Sequence, residues 1–298
     1  MPSRLGVALI LAFWLATAGY VGYRDVWPRL FSDGPPPLRI DLADEATQTA
    51  ATTWVVYRGT ERVGTLLTRM QYQPEDDTFR FVNTFRDLRV SLGKVRLLDL
   101  SVDAPLLETA VRVTRTGELR EQTMTGKLAV VAGNARLAEA TADVSGRVDG
   151  GVLVGRVKLK SSFGELDQPL DPVPVPAGQV LNPLMPVNRL QDVRPGRRWV
   201  IRQVDPLQDA VDALIRQVAK QSDLAAGLVP PRGNRELLAE VKAAPERLDR
   251  KGGPVDCWVI EYRGDETEAR TWVSVADGRV LRQEASGFGE RLRFERED

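Results

Sequence analysis

Residues 149–160 read DGGVLVGRVKLK. In this stretch Leu153, Val157 and Leu159 (with Gly155) alternate with Val154, Arg156, Lys158 and Lys160. A period of two puts the first set on one side of a pleated strand and the second on the other. One side is therefore apolar and the other basic, the pattern of an antiparallel sheet with one wet face. Asp149-Gly150-Gly151 just before it tolerates the positive φ of a tight primed turn, so the strand enters through a hairpin.

The pattern extends in both directions. Upstream, candidate strands cover Thr52–Arg58, Arg62–Gln73, Thr78–Leu88, Val95–Val102, Ala110–Arg115, Glu118–Val131 and Arg136–Val148, separated by turn signals such as Arg58-Gly59 and Pro74-Glu75-Asp76-Asp77. Downstream, residues 168–195 carry Pro169, Pro172, Pro174, Pro176, Pro183, Pro186 and Pro195. A sheet interior does not absorb so many missing donors, so this stretch is expected to be an extended crossing loop. Arg198–Val204 reads as a strand. Asp205-Pro206 then supplies an N-cap and a proline preset for a first helical turn. Leu207, Val211, Leu214, Ile215 and Val218 follow at helical spacing, and Arg235–Lys242 reads as a second short helix. The chain closes on strands Val255–Tyr262, Glu268–Val275, Arg279–Ala285 and Glu290–Arg296, with Asp277-Gly278 as a second tight turn.

The amino terminus is different. Leu5–Tyr23 (LGVALILAFWLATAGYVGY) is 19 uncharged residues between Arg4 and Arg24. A helix of that length rises about 28 Å, roughly the hydrocarbon thickness of a bilayer. Tyr20, Tyr23 and Trp27 cluster at its far end like an interfacial belt. The competing reading is a cleaved signal peptide cut after Ala16-Thr17-Ala18; the apolar run continues past that point, which favours an anchor. A tail of four residues stays inside more easily than a long domain, so the amino terminus is expected in the cytoplasm and the domain in the periplasm. The expected organisation is an anchor at 1–24, a Pro/Gly spacer at 25–48 (FSDGPPP within it), and an extracytoplasmic β domain at 49–298 with loop 168–195 and helical insertion 205–243. The expected fold class is mainly β (α+β), a curled antiparallel sheet or half-barrel with a two-helix insertion, preceded by one transmembrane helix.

Composition closes several doors. There are 41 basic and 41 acidic residues, one cysteine (Cys257) and no histidine. One thiol allows no internal disulfide and no Cys-rich metal site; no imidazole means no Ser-His-Asp catalysis and no His-ligated metal. A neutral chain has no overall field to draw it onto nucleic acid, so none is expected as a partner. Cofactor signatures are missing too, as neither Gly-x-Gly-x-x-Gly nor a P-loop occurs, and no cofactor is expected. Glu75-Asp76-Asp77 reads as a solvated turn, since it lacks the staggered order of a calcium loop. Ser161-Ser162 beside Lys158 and Lys160 reads as surface before it reads as a Ser-Lys dyad. Arg112, Arg115, Arg120 and Lys127 read as a solvated sheet face. Cys257 reads as a small buried hydrophobe, and Trp199, Trp258 and Trp272 as core. No enzyme activity is expected.

The early strands Trp54–Tyr72, the helix Leu207–Val218 and the closing segment Thr271–Glu284 (TWVSVADGRVLRQE) together resemble periplasmic lipoprotein-carrier and lipid-binding half-barrels of the LolA, LolB and LppX kind, and also uncharacterised exported bacterial proteins. In the carrier families a curled sheet cups an apolar ligand while helices cover its concave side. The resemblance implies an apolar or lipidic ligand; the helical stripe, read beside the long antiparallel run, is what makes Leu207, Val211, Leu214, Ile215 and Val218 the residues expected to face it. It carries over no individual site residue, and the lipobox cysteine is absent. The alternatives are a protein-interaction module of an envelope complex and, further off, a hydrolase working with carboxylates alone.

Overall fold

The computed structural model describes residues 13–15, 17–20, 51–95, 98–115, 118–133, 135–161, 164–175, 187–190, 192–202, 236–264, 267–287 and 290–297. Fifteen strands make one sheet: β1 (Thr52–Arg58), β2 (Glu61–Gln73), β3 (Thr78–Val95), β4 (Leu98–Thr114), β5 (Leu119–Ala132), β6 (Ala135–Asp149), β7 (Val152–Ser161), β8 (Gly164–Pro174), β9 (Arg198–Arg202), β10 (Glu236–Val241), β11 (Glu246–Leu248), β12 (Val255–Arg263), β13 (Thr267–Ser274), β14 (Val280–Gly287) and β15 (Glu290–Arg296). Their order is β8-β7-β6-β5-β4-β3-β2-β1-β15-β14-β13-β12-β10-β9, with β11 beside β12. Every pairing is antiparallel.

The sheet is thus two meanders joined at their first and last strands. β1 pairs with β15 from Trp54 opposite Arg296 to Arg58 opposite Leu292. Trp54, Phe85, Leu88 and Ala104, from β1, β3 and β4, share one buried cluster with Trp199 and Leu237 from β9 and β10. Those strands lie far apart in the order, so their side chains meet only because the sheet curls. The curl follows from strand twist accumulated over many long strands. The concave side of this half is filled by its own side chains, Trp54, Trp199, Phe85 and Phe294 among them.

The long strands are kept in phase by bulges. The predicted pair Val95–Val102 and Ala110–Arg115 is one strand, β4, which runs through Pro105. Its register with β5 shifts between Asp103 and Leu106, so the proline sits at a bulge, where a missing donor costs nothing in the ladder. Opposite it, Asp87 on β3 holds φ 52°. Inward positions on β3 change from Phe85 to Leu88 and Val90 across that residue.

Two other expectations are corrected. Arg235–Lys242 is not a helix: Glu236–Val241 is strand β10, with Leu237, Ala239 and Val241 buried at a period of two. The Pro-rich stretch is not loop throughout, because strand β8 continues to Pro174 along the edge of the sheet. The helix at 207–218 and the spacer at 25–48 lie outside the described residues. Among the described residues no helix is long and apolar enough to cross a membrane. Of the apolar segment 5–23 only 13–15 and 17–20 are described; they are helical, with Phe13, Trp14, Leu15 and Tyr20 exposed.

The 149–151 turn is as read: Asp149 pairs with Val152, and Gly150 and Gly151 take φ 56° and 78°. The Asp277-Gly278 turn is wider than a two-residue hairpin, closing from Ser274 to Arg279. There Gly278 takes φ 71°, and a Cβ on it would lie 2.7 Å from the Leu190 carbonyl oxygen. That close approach docks residues 187–190 on the hairpin, with Leu190 N–H donating to Gly278 O and Val280 N–H to Asn188 O.

Candidate functional site

Residues on the concave face fall into rows that cross the sheet. One row is polar: Thr52 faces Thr68, Thr68 faces Asn83, and Asn83 faces Thr109. Trp54 Nε1–H donates to Thr68 Oγ1 at 3.2 Å, and Thr52 Oγ1–H donates to Asn188 Oδ1 at 3.1 Å. Arg296 also donates to Asn188 Oδ1, at 2.7 Å. The row therefore ties both meanders to the 187–190 segment through Thr52, Asn188 and Arg296.

Beyond this row the same face turns apolar again. Met70, Phe79 and Val113 form one small cluster. Leu119, Val144, Leu153, Val157 and Leu170 form another on β5–β8, with Val111, Met124, Val148, Val173 and Val175 half-buried against it. Glycines flatten the surface: a Cβ on Gly126 would lie 2.9 Å from Leu107 Cδ1, and one on Gly146 would lie 2.9 Å from Leu153 Cδ1. Leucine side chains thus lie flat across their neighbours, leaving a smooth apolar strip separate from the filled core.

The predicted ligand-facing residues Leu207, Val211, Leu214, Ile215 and Val218 lie outside the described residues. Of the strip on β5–β8, alternation in the sequence shows only the share of one strand, Leu153, Val157 and Leu159. Its other members come from neighbouring strands, and only the register assembles them.

On the opposite face several basic side chains are paired. Arg112 bonds Asp76 at 3.0 Å and Glu121 at 3.3 Å; Arg115 bonds Asp77 at 2.8 Å. Arg156 bonds Asp167 at 2.5 Å, and Lys160 bonds Glu165 at 2.6 Å. The Glu165 hydrogen bond raises the Lys160 pKa, whereas a lysine acting as base needs it lowered. Ser161 Oγ–H donates to the Gly164 carbonyl.

A denser network covers β9–β13. Glu240 and Glu261 face each other across β10 and β12. Arg198 bonds Glu240 at 2.5 Å, while Glu261 is buried and touches Arg263, Arg270 at 3.2 Å and Lys242 at 3.4 Å. Burial pushes the Glu261 carboxyl up, but the Arg263 hydrogen bond and the charges of Arg263, Lys242 and Arg270 outweigh it and hold it low. A glycosidase-type acid needs the reverse shift, so Glu261 is not poised as the protonated partner such chemistry requires.

Cys257 is fully buried, and burial pushes its thiol up to about 11. Trp199 lies in the main core, and Trp258 is half-buried against it. Trp272 packs on the outer face with Cys257 and donates from Nε1 to Glu246 at 3.2 Å. Among the described residues no group of acidic side chains and cysteine is arranged to hold a metal ion.

Fold and site define an antiparallel β-protein built on a single curled sheet. No protein-family model matches the chain, and no curated protein matches it. Among solved structures it is similar to a β-barrel-like protein of a domain of unknown function, DUF1849, from Brucella abortus, at 10% identity over 83% of this chain and 95% of that one, with a TM-score of 0.34. That score is too low to carry residues or activity across.

Proposed function

We propose that this chain is a membrane-anchored, extracytoplasmic domain that holds an apolar or lipidic ligand against the concave face of β5–β8. The carrying observation is the second apolar strip, in which Val111, Met124, Val148, Val173 and Val175 keep part of their surface exposed beside a core that is already full. Each methylene a ligand buries there contributes about 0.8 kcal/mol, so an acyl chain lying along the strip gains enough to bind without a polar anchor. The segment 5–23 supplies the anchor in this reading, and the stripe Leu207–Val218 the cover. The carrier-family resemblance of the sequence points the same way.

The test is native mass spectrometry of residues 31–298, purified without detergent, with organic extraction of whatever is bound. A retained lipid-like mass, lost in both Met124→Asp and Leu214→Asp while the far-UV spectrum is unchanged, is the expected result. A mass that stays clean after incubation with host lipids overturns the reading in favour of an interaction module in an envelope complex.

A further inference from the structure

The outer face of the long strands carries a site of a different character. A cleft of 210 Å³ is lined there by Gln73, Arg80, Ala110, Arg112, Glu121 and Thr123. Register places its charged members Arg80, Arg112 and Glu121 in one row that runs on past the cleft at both ends: Gln71 faces Arg80, Arg80 faces Arg112, Arg112 faces Glu121, and Glu121 faces Arg147. Arg80 and Arg112 are therefore like charges directly opposed on neighbouring strands, a pairing that destabilises a sheet.

The two arginines are not equally compensated. Arg112 is held from both sides by Asp76 and Glu121, and its Nε is buried without a hydrogen bond. Arg80 is exposed and makes no ion pair or hydrogen bond among the described residues. Arg80, Arg112 and Arg147 set three positive charges against two carboxylates, Glu121 and Asp76, so the row keeps one positive charge. Gln73 and Thr123 add neutral hydrogen-bonding groups at the same opening.

We propose that this cleft binds an oxyanion group, phosphate or carboxylate, with Arg80 as its principal ligand. The anion takes the place of the missing counter-charge between Arg80 and Arg112. Arg80 suits the role because a guanidinium fork meets a planar or tetrahedral oxyanion through two parallel hydrogen bonds. The volume accommodates such a group with a small substituent, but falls short of the roughly 300–1,000 Å³ of sites for drug-sized ligands. The site lies on the face opposite the apolar strip and stands or falls independently of it.

The test uses the full chain in nanodiscs of neutral phosphatidylcholine, with thermal unfolding followed by tryptophan fluorescence. Inorganic phosphate is titrated against sodium chloride at constant ionic strength. The wild-type midpoint rises saturably, and Arg80→Gln raises the half-saturating phosphate concentration at least tenfold. Arg69→Gln, an exposed arginine outside the cleft, leaves it unchanged. Nanodiscs doped with phosphatidic acid distinguish the source: an Arg80-dependent rise before any phosphate is added assigns a lipid headgroup, and its absence assigns a soluble anion. A rise that does not saturate, or one that Arg80→Gln and wild type share, overturns the proposal.

Discussion

At the scale of single residues, Glu261 shows how the outer face tolerates charge. Its side chain is 5% exposed, while Lys242, Arg263 and Arg270 are 36%, 50% and 38% exposed. Removing one partner of a fully buried ion pair costs 3–5 kcal/mol, but three half-exposed cations recover much hydration. Glu261→Gln should therefore cost about 1–3 kcal/mol in urea unfolding at pH 7. Because the folded pKa is depressed, Glu261 contributes stability that is fully present above its unfolded value and lost as pH falls through the folded one. Glu246, held low first by its Lys242 hydrogen bond, acts in the same direction. The wild type should thus lose stability below about pH 4.3, and the gap between wild type and Glu261→Gln should narrow there. Cys257 supplies a second check. With its thiol raised to about 11 and buried, it should resist iodoacetamide at pH 8 in the folded protein and react once urea unfolds the chain.

At the scale of elements, β8 is the least expected strand. Pro169 lies opposite Arg156 and Pro174 opposite Val152, four residues apart on β7 and so in the same phase. Val175 N–H donates inward to the Gly151 carbonyl, which turns the preceding Pro174 nitrogen outward. Both prolines therefore remove donors only from the free edge, where they block the addition of another strand. Pro169→Thr with Pro174→Thr should restore two outward donors and produce concentration-dependent association in sedimentation velocity, with the β8–β7 ladder intact. The proline count by itself points to a loop here, because which strand forms the edge is a property of the whole sheet. β10 was missed for a different reason. Its run Glu236–Val241 fits both a short helix and a strand, and only the company of Trp199 and Ile260 decides. Where period and turn chemistry agreed, as in β1, β7 and β15, the strands were legible almost to the residue. The apolar strip was less so, since Met124, Val144 and Val157 become neighbours only through the register of three strands.

At the scale of the whole molecule, the seam between the first and last strands decides how the two meanders behave. Val56 faces Phe294 across it, and both lie in the main core with Trp54 and Leu292. That core holds residues from β1–β4, from β9 and β10 and from β12–β15, so it ties the two halves together. Among the described residues, the β5–β8 end draws on a much smaller cluster and ends at an unpaired edge. Regions with fewer buried apolar side chains open at lower free energy, so stability should be graded along the sheet. Hydrogen exchange should find the amides of β7 and β8 exchanging by local opening, while those of β1, β13 and β15 exchange only in global unfolding. Phe294→Ala should cost about 3–5 kcal/mol. It should lower the protection of β1–β3 and β12–β15 together, because the side chain serves both meanders, and leave β7 and β8 little changed. Equal loss of protection across all strands would mean that the β5–β8 end is not an independent opening unit.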